Sequence, residues 1–272
     1  QRMIVKVLLN FLRFFKRRDA KFFRKVHKVL WEIVFFVFSS KAYSIFSIMF
    51  GFSFYIQMNN REIKGKDFRI GFIWRLAILF IIGYLFSLFY LGEVLTVFAL
   101  LGLILVPLYK LSNKWLFLIA VLFIIQIPSI VNLINSFVNA TYNNNQSWHH
   151  WNSISSTYIN GSFTDVVSLN ALQGHLAKWQ FMINTGRYLQ MIGLFIIGLL
   201  LGRVKYFENI NLHKKITLKV MVVSLLMWGC LFLVPFLLEK DLLIESQYNL
   251  IIRLSKSYGN FFFTIFFFTA FI

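Results

Sequence analysis

The sequence predicts an all-α membrane protein, a polytopic bundle of transmembrane helices with a large outer loop. Of its 272 residues, 58% are apolar and 19% are aromatic, whereas only 14% are charged. A soluble domain carries about a quarter of charged residues, so this composition excludes an ordinary water-soluble globule. Several apolar runs are long enough to cross about 30 Å of hydrocarbon. The net charge of +18 favours the lipid bilayer and its anionic headgroups as partners, and nucleic acid is not expected.

Residues 1–41 form a basic amphipathic N-terminal segment. Ten Lys and Arg residues precede Leu30. If the spans alternate strictly from Ala42 onward, these cations would lie on the outer side of the membrane. Two arrangements remain open. Either residues 30–40 form a short re-entrant or interfacial helix that keeps the segment cytoplasmic, or the segment follows an earlier span and binds outer-leaflet headgroups.

Residues 42–272 are predicted to form the transmembrane helical domain, with about seven spans. The predicted spans are the apolar runs 42–58, 70–90, 94–109, 115–134, 181–202 and 220–238, and a run that starts at residue 258. The last run ends in the twelve apolar residues 261–272, whereas a spanning helix needs about 20. We therefore expect the chain to be a fragment that is truncated at its C-terminus.

The loops between these spans differ in positive charge, which predicts their orientation. Loops 59–69, 110–114 and 203–219 hold four, two and five Lys or Arg residues, whereas the alternate loops together hold four. Positively charged loops stay on the cytoplasmic side, so we predict that the first three loops are cytoplasmic. The alternate set includes a hydrophilic outer loop of about 45 residues, 136–180, whose length and aromatic content favour a functional role over disorder.

Ionisable residues near the outer ends of the predicted spans suggest a functional site, because charges at membrane depth are costly. We predict a polar pocket beneath the outer loop, with acid–base groups and a charge clamp for an anionic or sugar-like substrate. The predicted catalytic residues include Glu93, His149 and His150, and the predicted substrate-binding residues are Lys41, Asp165 and Arg187. We also expect Arg187 to pair with Glu93. The alternative is that these groups reach the headgroups or pair for structural reasons.

Two further motifs have structural interpretations. His149 and His150 lie between Trp148 and Trp151, a pattern typical of aromatic anchoring at the membrane interface. No metal is expected there, because adjacent histidines point in different directions and no carboxylate stands at ligand spacing. Gly198 and Gly202 form a Gly-X-X-X-Gly pair, which predicts close helix packing.

Four blocks of sequence occur in the order typical of one family. They are Phe46-Ser47-X-X-Phe50-Gly51, then Gly92-Glu93-Val94-Leu95 followed by Phe98-Ala99-X-X-Gly102-Leu103, then Tyr158-X-X-Gly161-Ser162-Phe163, and the helix end from Ile196 to Arg203. Together they resemble the YeiB-type family of bacterial polytopic membrane proteins, a domain of unknown function, over roughly residues 19–272. Two positions depart from the pattern: Phe86 stands where members often have a histidine, and Glu93 replaces an aspartate.

The resemblance implies kinship with membrane acyltransferases that take an acyl group from cytosolic acyl-CoA and deliver it to an acceptor outside. It implies the bacterial plasma membrane as the location, acyl-CoA as a donor with no permanently bound cofactor, and a glycan or lipid as acceptor. His27 is then a further catalytic candidate, since related acyltransferases keep a histidine on that side; its alternative is a surface residue. Arg75 would meet the phosphates of CoA, or else is an interfacial anchor.

Three functions follow as hypotheses: a membrane acyltransferase, a small-molecule transporter or carrier, and a non-catalytic scaffold or sensor. The carrier is disfavoured because the sequence has no inverted repeat and no matched Gly/Pro breaks in two halves. Whether the chain forms a homo-oligomer is left open.

Overall fold

The computed structural model describes residues 27–31, 42–139, 149–239 and 243–271. The chain divides into two compact units, Gln1–Ala42 and Tyr43–Ile272. In the first unit, residues 27–31 are helical, and the rest of the predicted basic segment lies outside the described residues. The described part of the second unit is all-α, as the composition predicts.

Twelve α-helices are described from residue 42 onward. In chain order they are α1 (Ala42–Glu62), α2 (Arg69–Ser87), α3 (Leu95–Gly102), α4 (Leu105–Leu108), α5 (Asn113–Ile125), α6 (Ile127–Val138), α7 (His149–Asn160), α8 (Phe163–Leu169), α9 (His175–Asn184), α10 (Arg187–Arg203), α11 (Ile210–Leu237) and α12 (Glu245–Ala270). One π-helical turn, Asn170–Gly174, joins α8 to α9.

Two to four candidate membrane spans are present among these helices. α2 and α11 are each long and apolar enough to cross a bilayer, and most of their surface is not covered by protein. Two bent helix pairs also qualify if each pair is one span: α5 with α6, bent by 42°, and the helical stretch from α8 to α9 with α10, bent by 75°. These two to four candidates overlap four of the seven predicted spans, so the all-α class is confirmed but seven spans are not established.

The structure adds helical detail to two of the predicted segments. The run 94–109 forms two short helices, α3 and α4, of eight and four residues, instead of one spanning helix. The predicted outer loop, 136–180, contains α7 and α8 and most of α9. Its polar composition did not indicate this helicity, because most described side chains of α7 and α8 are exposed. Two buried polar residues of the segment, Asn170 and Lys178, have partners in the site described below.

The bent helix pairs break at Gln126 and at Gly186, and the absence of Gly/Pro breaks at matching positions in two halves stays a prediction. Gln126 ends α5 in the left-handed conformation, with φ of 53°, and Pro128 follows as the second residue of α6. Proline lacks the N–H that would continue the hydrogen-bond ladder. Gly186, with φ of 67°, separates α9 from α10, a conformation that glycine adopts without strain. The two breaks meet, since a Cβ on Gly186 would lie 2.0 Å from Gln126 Oε1.

The core forms where α1, α2, α3, α5 and α10 meet, around a cluster of phenylalanine rings. Phe54 and Phe195 are fully buried, and Phe50 packs against Phe195 and Phe98 with ring centroids 4.8 and 5.5 Å apart. The close packing predicted for Gly198 and Gly202 is confirmed. A Cβ on Gly198 would lie 2.0 Å from the carbonyl oxygen of Ile48, so α1 and α10 touch through their backbones.

We predict that Gly198→Ala destabilises the protein by about 1–3 kcal/mol, the usual cost of overpacking, because the new methyl group meets backbone that has no rotamer to change. The matched control is Gly229→Ala on α11, where nothing lies within 4 Å of the added Cβ. The thermal midpoint of the detergent-solubilised protein should fall for Gly198→Ala and not for Gly229→Ala. Equal midpoints for the two variants would contradict the packing.

Candidate functional site

A buried ion pair joins the start of α3 to α9. Lys178 Nζ lies 3.1 Å from Glu93 Oε2, and the two residues are only 6% and 4% exposed. The Glu93 carboxylate also accepts hydrogen bonds of 2.9 Å from the backbone N–H and from the hydroxyl of Thr96. Three donors therefore hold one carboxylate at the N-terminal end of α3, where the helix dipole also favours negative charge.

This pair corrects the predicted pairing of Glu93 with Arg187. The ion-pair partner of Glu93 is Lys178. The guanidinium of the half-buried Arg187 instead lies over the rings of Phe181 and Tyr43, 4.8 and 5.2 Å from their centroids. The prediction missed Lys178 because it assigned that residue to an outer loop, whereas α9 turns it toward α3.

A histidine lies one helical turn before Lys178. His175 Nε2 is 2.9 Å from the hydroxyl oxygen of Ser87, the last residue of α2, and its ring stacks on Tyr84 with centroids 5.1 Å apart. The Ser87 hydroxyl also reaches the carbonyl oxygen of Tyr84 at 2.6 Å. If it donates its single proton to that carbonyl, Nε2 must donate to Ser87, and Nδ1 is then the atom that can accept a proton.

The π-helical turn before His175 supplies a polar wall for this site. Asn170, only 1% exposed, donates from its amide to the carbonyl oxygen of Leu88 at 3.0 Å and to the Tyr158 hydroxyl at 2.8 Å. Tyr84 donates to the carbonyl oxygen of Ala171 at 3.1 Å. These bonds connect α2, α7 and the π-turn, a type of turn that is frequent at functional sites.

We call the set Tyr84, Ser87, Glu93, Thr96, Tyr158, Asn170, His175 and Lys178 the polar cluster. Glu93 is the predicted site residue that the structure places in it. His175 and Lys178 were missed, although a signal was present: they stand three residues apart, so they share one face of a helix if the segment is helical.

The other predicted residues lie elsewhere or outside the description. Lys41 is outside the described residues, and His149 and His150 begin α7 without described side chains. His27 belongs to the first unit, where it is exposed and stacks on Trp31. Asp165 is exposed and caps α8, accepting from the Ser162 N–H at 2.8 Å, which is a structural role. Arg75 is exposed, donates to Gln57 and lies over the Phe68 ring.

A second polar zone surrounds the two helix breaks. Gln126, 1% exposed, donates to the Ser257 hydroxyl at 3.0 Å, while its Oε1 has no hydrogen-bond partner among the described residues. A cavity of about 20 Å³ adjoins it, lined also by Asn184 and Arg253. That volume holds about one water molecule, which would satisfy the amide oxygen. Among the described residues, no three His, Cys, Asp or Glu side chains are grouped to share a metal ion.

Comparison with known proteins finds distant, partial similarity to two uncharacterised Bacillus proteins. An uncharacterised 39.9 kDa protein from the amylase 3′ region of Bacillus acidopullulyticus is 36% identical over 89 residues, which are 33% of this chain and 26% of that protein. The uncharacterised protein YxaH of Bacillus subtilis strain 168 is 33% identical over 118 residues, 43% of this chain and 28% of that protein. The matches thus span about a quarter of the length of these curated relatives. No family model and no solved structure matches the chain.

We predict that removing either charge of the buried pair costs about 3–5 kcal/mol, because the partner is left buried and uncompensated. Lys178→Met and Glu93→Gln should each lower the free energy of unfolding by this amount, and the double variant should lose less than the sum. The measurement is a double-mutant cycle by chemical unfolding in detergent.

The exposed pair Lys205–Glu208 provides the control. Its atoms are 3.5 Å apart, but the side chains are 59% and 68% exposed, so Glu208→Gln should cost at most about 1 kcal/mol. Additive effects of the two buried substitutions would show that the Glu93–Lys178 contact does not couple them.

Proposed function

We propose that the chain is the membrane-embedded part of an acyltransferase that carries an acyl group from acyl-CoA to a cell-envelope acceptor. The observation that carries the proposal is the position of His175. Its ring is fixed by Ser87 and Tyr84 at one end of the candidate span α2, one helical turn from the buried Glu93–Lys178 pair. A titratable group held in this way beside fixed charges has the properties of a general base.

In the proposed reaction, His175 takes the proton from a hydroxyl or amino group of the acceptor. The acceptor oxygen or nitrogen attacks the thioester carbonyl, forming the new ester or amide bond, and the carbon–sulfur bond breaks. The proton on His175 then passes to the departing thiolate of CoA. Ser87 and Tyr84 orient the imidazole, while Glu93 fixes Lys178 so that its positive charge stays close to the developing negative charge of the carbonyl oxygen.

We further propose that the chain crosses a bacterial plasma membrane about seven times and is related to the YeiB-type family. The two to four candidate spans and the partial similarity to Bacillus proteins support a bacterial membrane protein. The four sequence blocks support the family. One of them holds Glu93, which the structure places in the polar cluster.

The proposed orientation predicts that position 66 is accessible to a membrane-impermeant thiol reagent from the cytoplasmic side only, because its loop carries four cations that would otherwise be translocated. Cys230 is exposed and must first be replaced, as in Cys230→Ala. Lys66→Cys in that background should label in inverted vesicles and not in intact cells. Labelling from the outside alone would reverse the topology.

The activity test uses the full-length protein in liposomes with labelled acetyl-CoA, following label into protein or into an added glycan acceptor. His175→Asn should reduce transfer about 100-fold or more, the contribution of a general acid–base group. His213→Asn is the matched control, since His213 stacks on Tyr206 outside the polar cluster, and this variant should transfer label at the wild-type rate. Absence of transfer by the wild type, or equal rates for His175→Asn and wild type, would refute the proposal.

A carrier is the second candidate, and one observation favours it. The breaks of the two bent helix pairs meet at Gln126 and Gly186, near the buried Gln190 and the half-buried Arg253. Broken helices that expose backbone polar groups to one another are typical of transporter binding sites. The same liposomes distinguish the two functions, because a carrier would move a solute across the membrane without covalent transfer of the label.

A further inference from the structure

A larger cavity lies away from the polar cluster, at the opposite end of α2. Its volume is about 730 Å³, within the range of small-molecule sites. It is bounded by the α1–α2 loop and by residues at the C-terminal ends of α4 and α10. These three parts of the chain fall at the three loops that the sequence predicts to be cytoplasmic. Its ionisable lining residues, apart from Tyr109, are Glu62, Lys66, Asp67, Arg69, Lys110 and Arg203.

The negative charges of this cavity are already engaged. Asp67 forms an ion pair with Arg69, whose hydrogen bonds hold the pKa of the Asp67 carboxyl at about 2, so this pair stays ionised at neutral pH. Glu62 accepts a hydrogen bond of 2.5 Å from the Tyr109 hydroxyl. Together the two carboxylates offset two of the four cations that line the cavity.

Three cations are left to face the open volume. Arg203 is held rigidly, since its guanidinium donates to the carbonyl oxygens of Tyr109 and Leu111 and to Asn113 Oδ1. Lys66 and Lys110 have no ion-pair partner among the described residues. Four cations and two carboxylates leave the lining with a charge of about +2 at neutral pH.

We propose that this cavity binds a phosphate-bearing anion. Two exposed ammonium groups beside hydrogen-bonded guanidinium groups are suited to phosphate oxygens, which accept several charge-assisted hydrogen bonds at once. The phosphate has two possible sources, a soluble compound such as coenzyme A or the headgroup of an anionic lipid. The site goes beyond the proposed acyl transfer, because a lipid phosphate would occupy it with no acyl donor.

The test uses the full chain in nanodiscs. In the first arm, binding of coenzyme A is measured calorimetrically in discs of phosphatidylcholine alone. In the second arm, native mass spectrometry measures retention of phosphatidylglycerol over phosphatidylcholine. Lys66→Ala/Lys110→Ala should weaken binding of the phosphate ligand about tenfold or more, since the loss of one hydrogen bond to a charged group usually raises Kd by at least that factor. Lys66→Arg/Lys110→Arg should retain binding, which shows that the site still folds.

Lys64→Ala/Lys114→Ala is the matched control, because these lysines are exposed like Lys66 and Lys110, and one lies in the α1–α2 loop and the other at the start of α5, but neither lines the cavity. It removes the same charge and should change either affinity by no more than about twofold, since these two ammonium groups would act on the bound anion only through solvent, where charges are screened. If Lys66→Ala/Lys110→Ala weakens only the binding of coenzyme A, the ligand is a soluble phosphate compound. If it weakens only the retention of phosphatidylglycerol, the ligand is a lipid, and this outcome does not affect the label-transfer test. The proposal is overturned if neither ligand binds or if both alanine pairs weaken binding equally.

Discussion

A buried carboxylate needs a positively charged partner, and the arrangement around Glu93 depends on this requirement. Lys178 meets it only if α9 packs against the start of α3. Because His175 lies one helical turn before Lys178, the same packing places it against Ser87 at the end of α2. α2 must approach closely as well: a Cβ on Gly83 would lie 2.8 Å from the Thr96 nitrogen and 3.1 Å from Glu93 Oε1. One compensated charge thus fixes the relative positions of three helices and the side chains between them.

The contact between α1 and α10 depends on a different interaction. At Gly51 and Gly198 backbone meets backbone, so close van der Waals packing stabilises the pair. The phenylalanine cluster fills the space beside this contact with edge-to-face and tilted ring pairs. Specific polar bonds and generic close packing therefore divide the stabilisation between them.

Composition and periodicity were sufficient for the all-α class, for two to four candidate spans and for the glycine contact, because each depends on residues close in sequence. The partner of Glu93 could not be predicted in the same way. Lys178 reaches Glu93 only because residues 163–184 are helical. The polar composition of this segment indicated a loop instead. Asp165, which the sequence suggested for substrate binding, caps the start of α8 in the structure. Arg187 was expected to pair with Glu93, but Glu93 pairs with Lys178, and the Arg187 guanidinium lies over two aromatic rings.

The length of α11 has a consequence for any bilayer that this candidate span crosses. Its 28 residues extend about 42 Å, whereas its apolar part, 220–237, measures about 27 Å, close to the thickness of the hydrocarbon layer. The first ten residues, which include Lys214, Lys215 and Lys219, would then extend into the headgroup layer. A thinner membrane would tilt α11, and α12, which packs along it, would have to follow. Ser257 of α12 bonds Gln126 at the helix break, so α12 links this candidate span to the second polar zone.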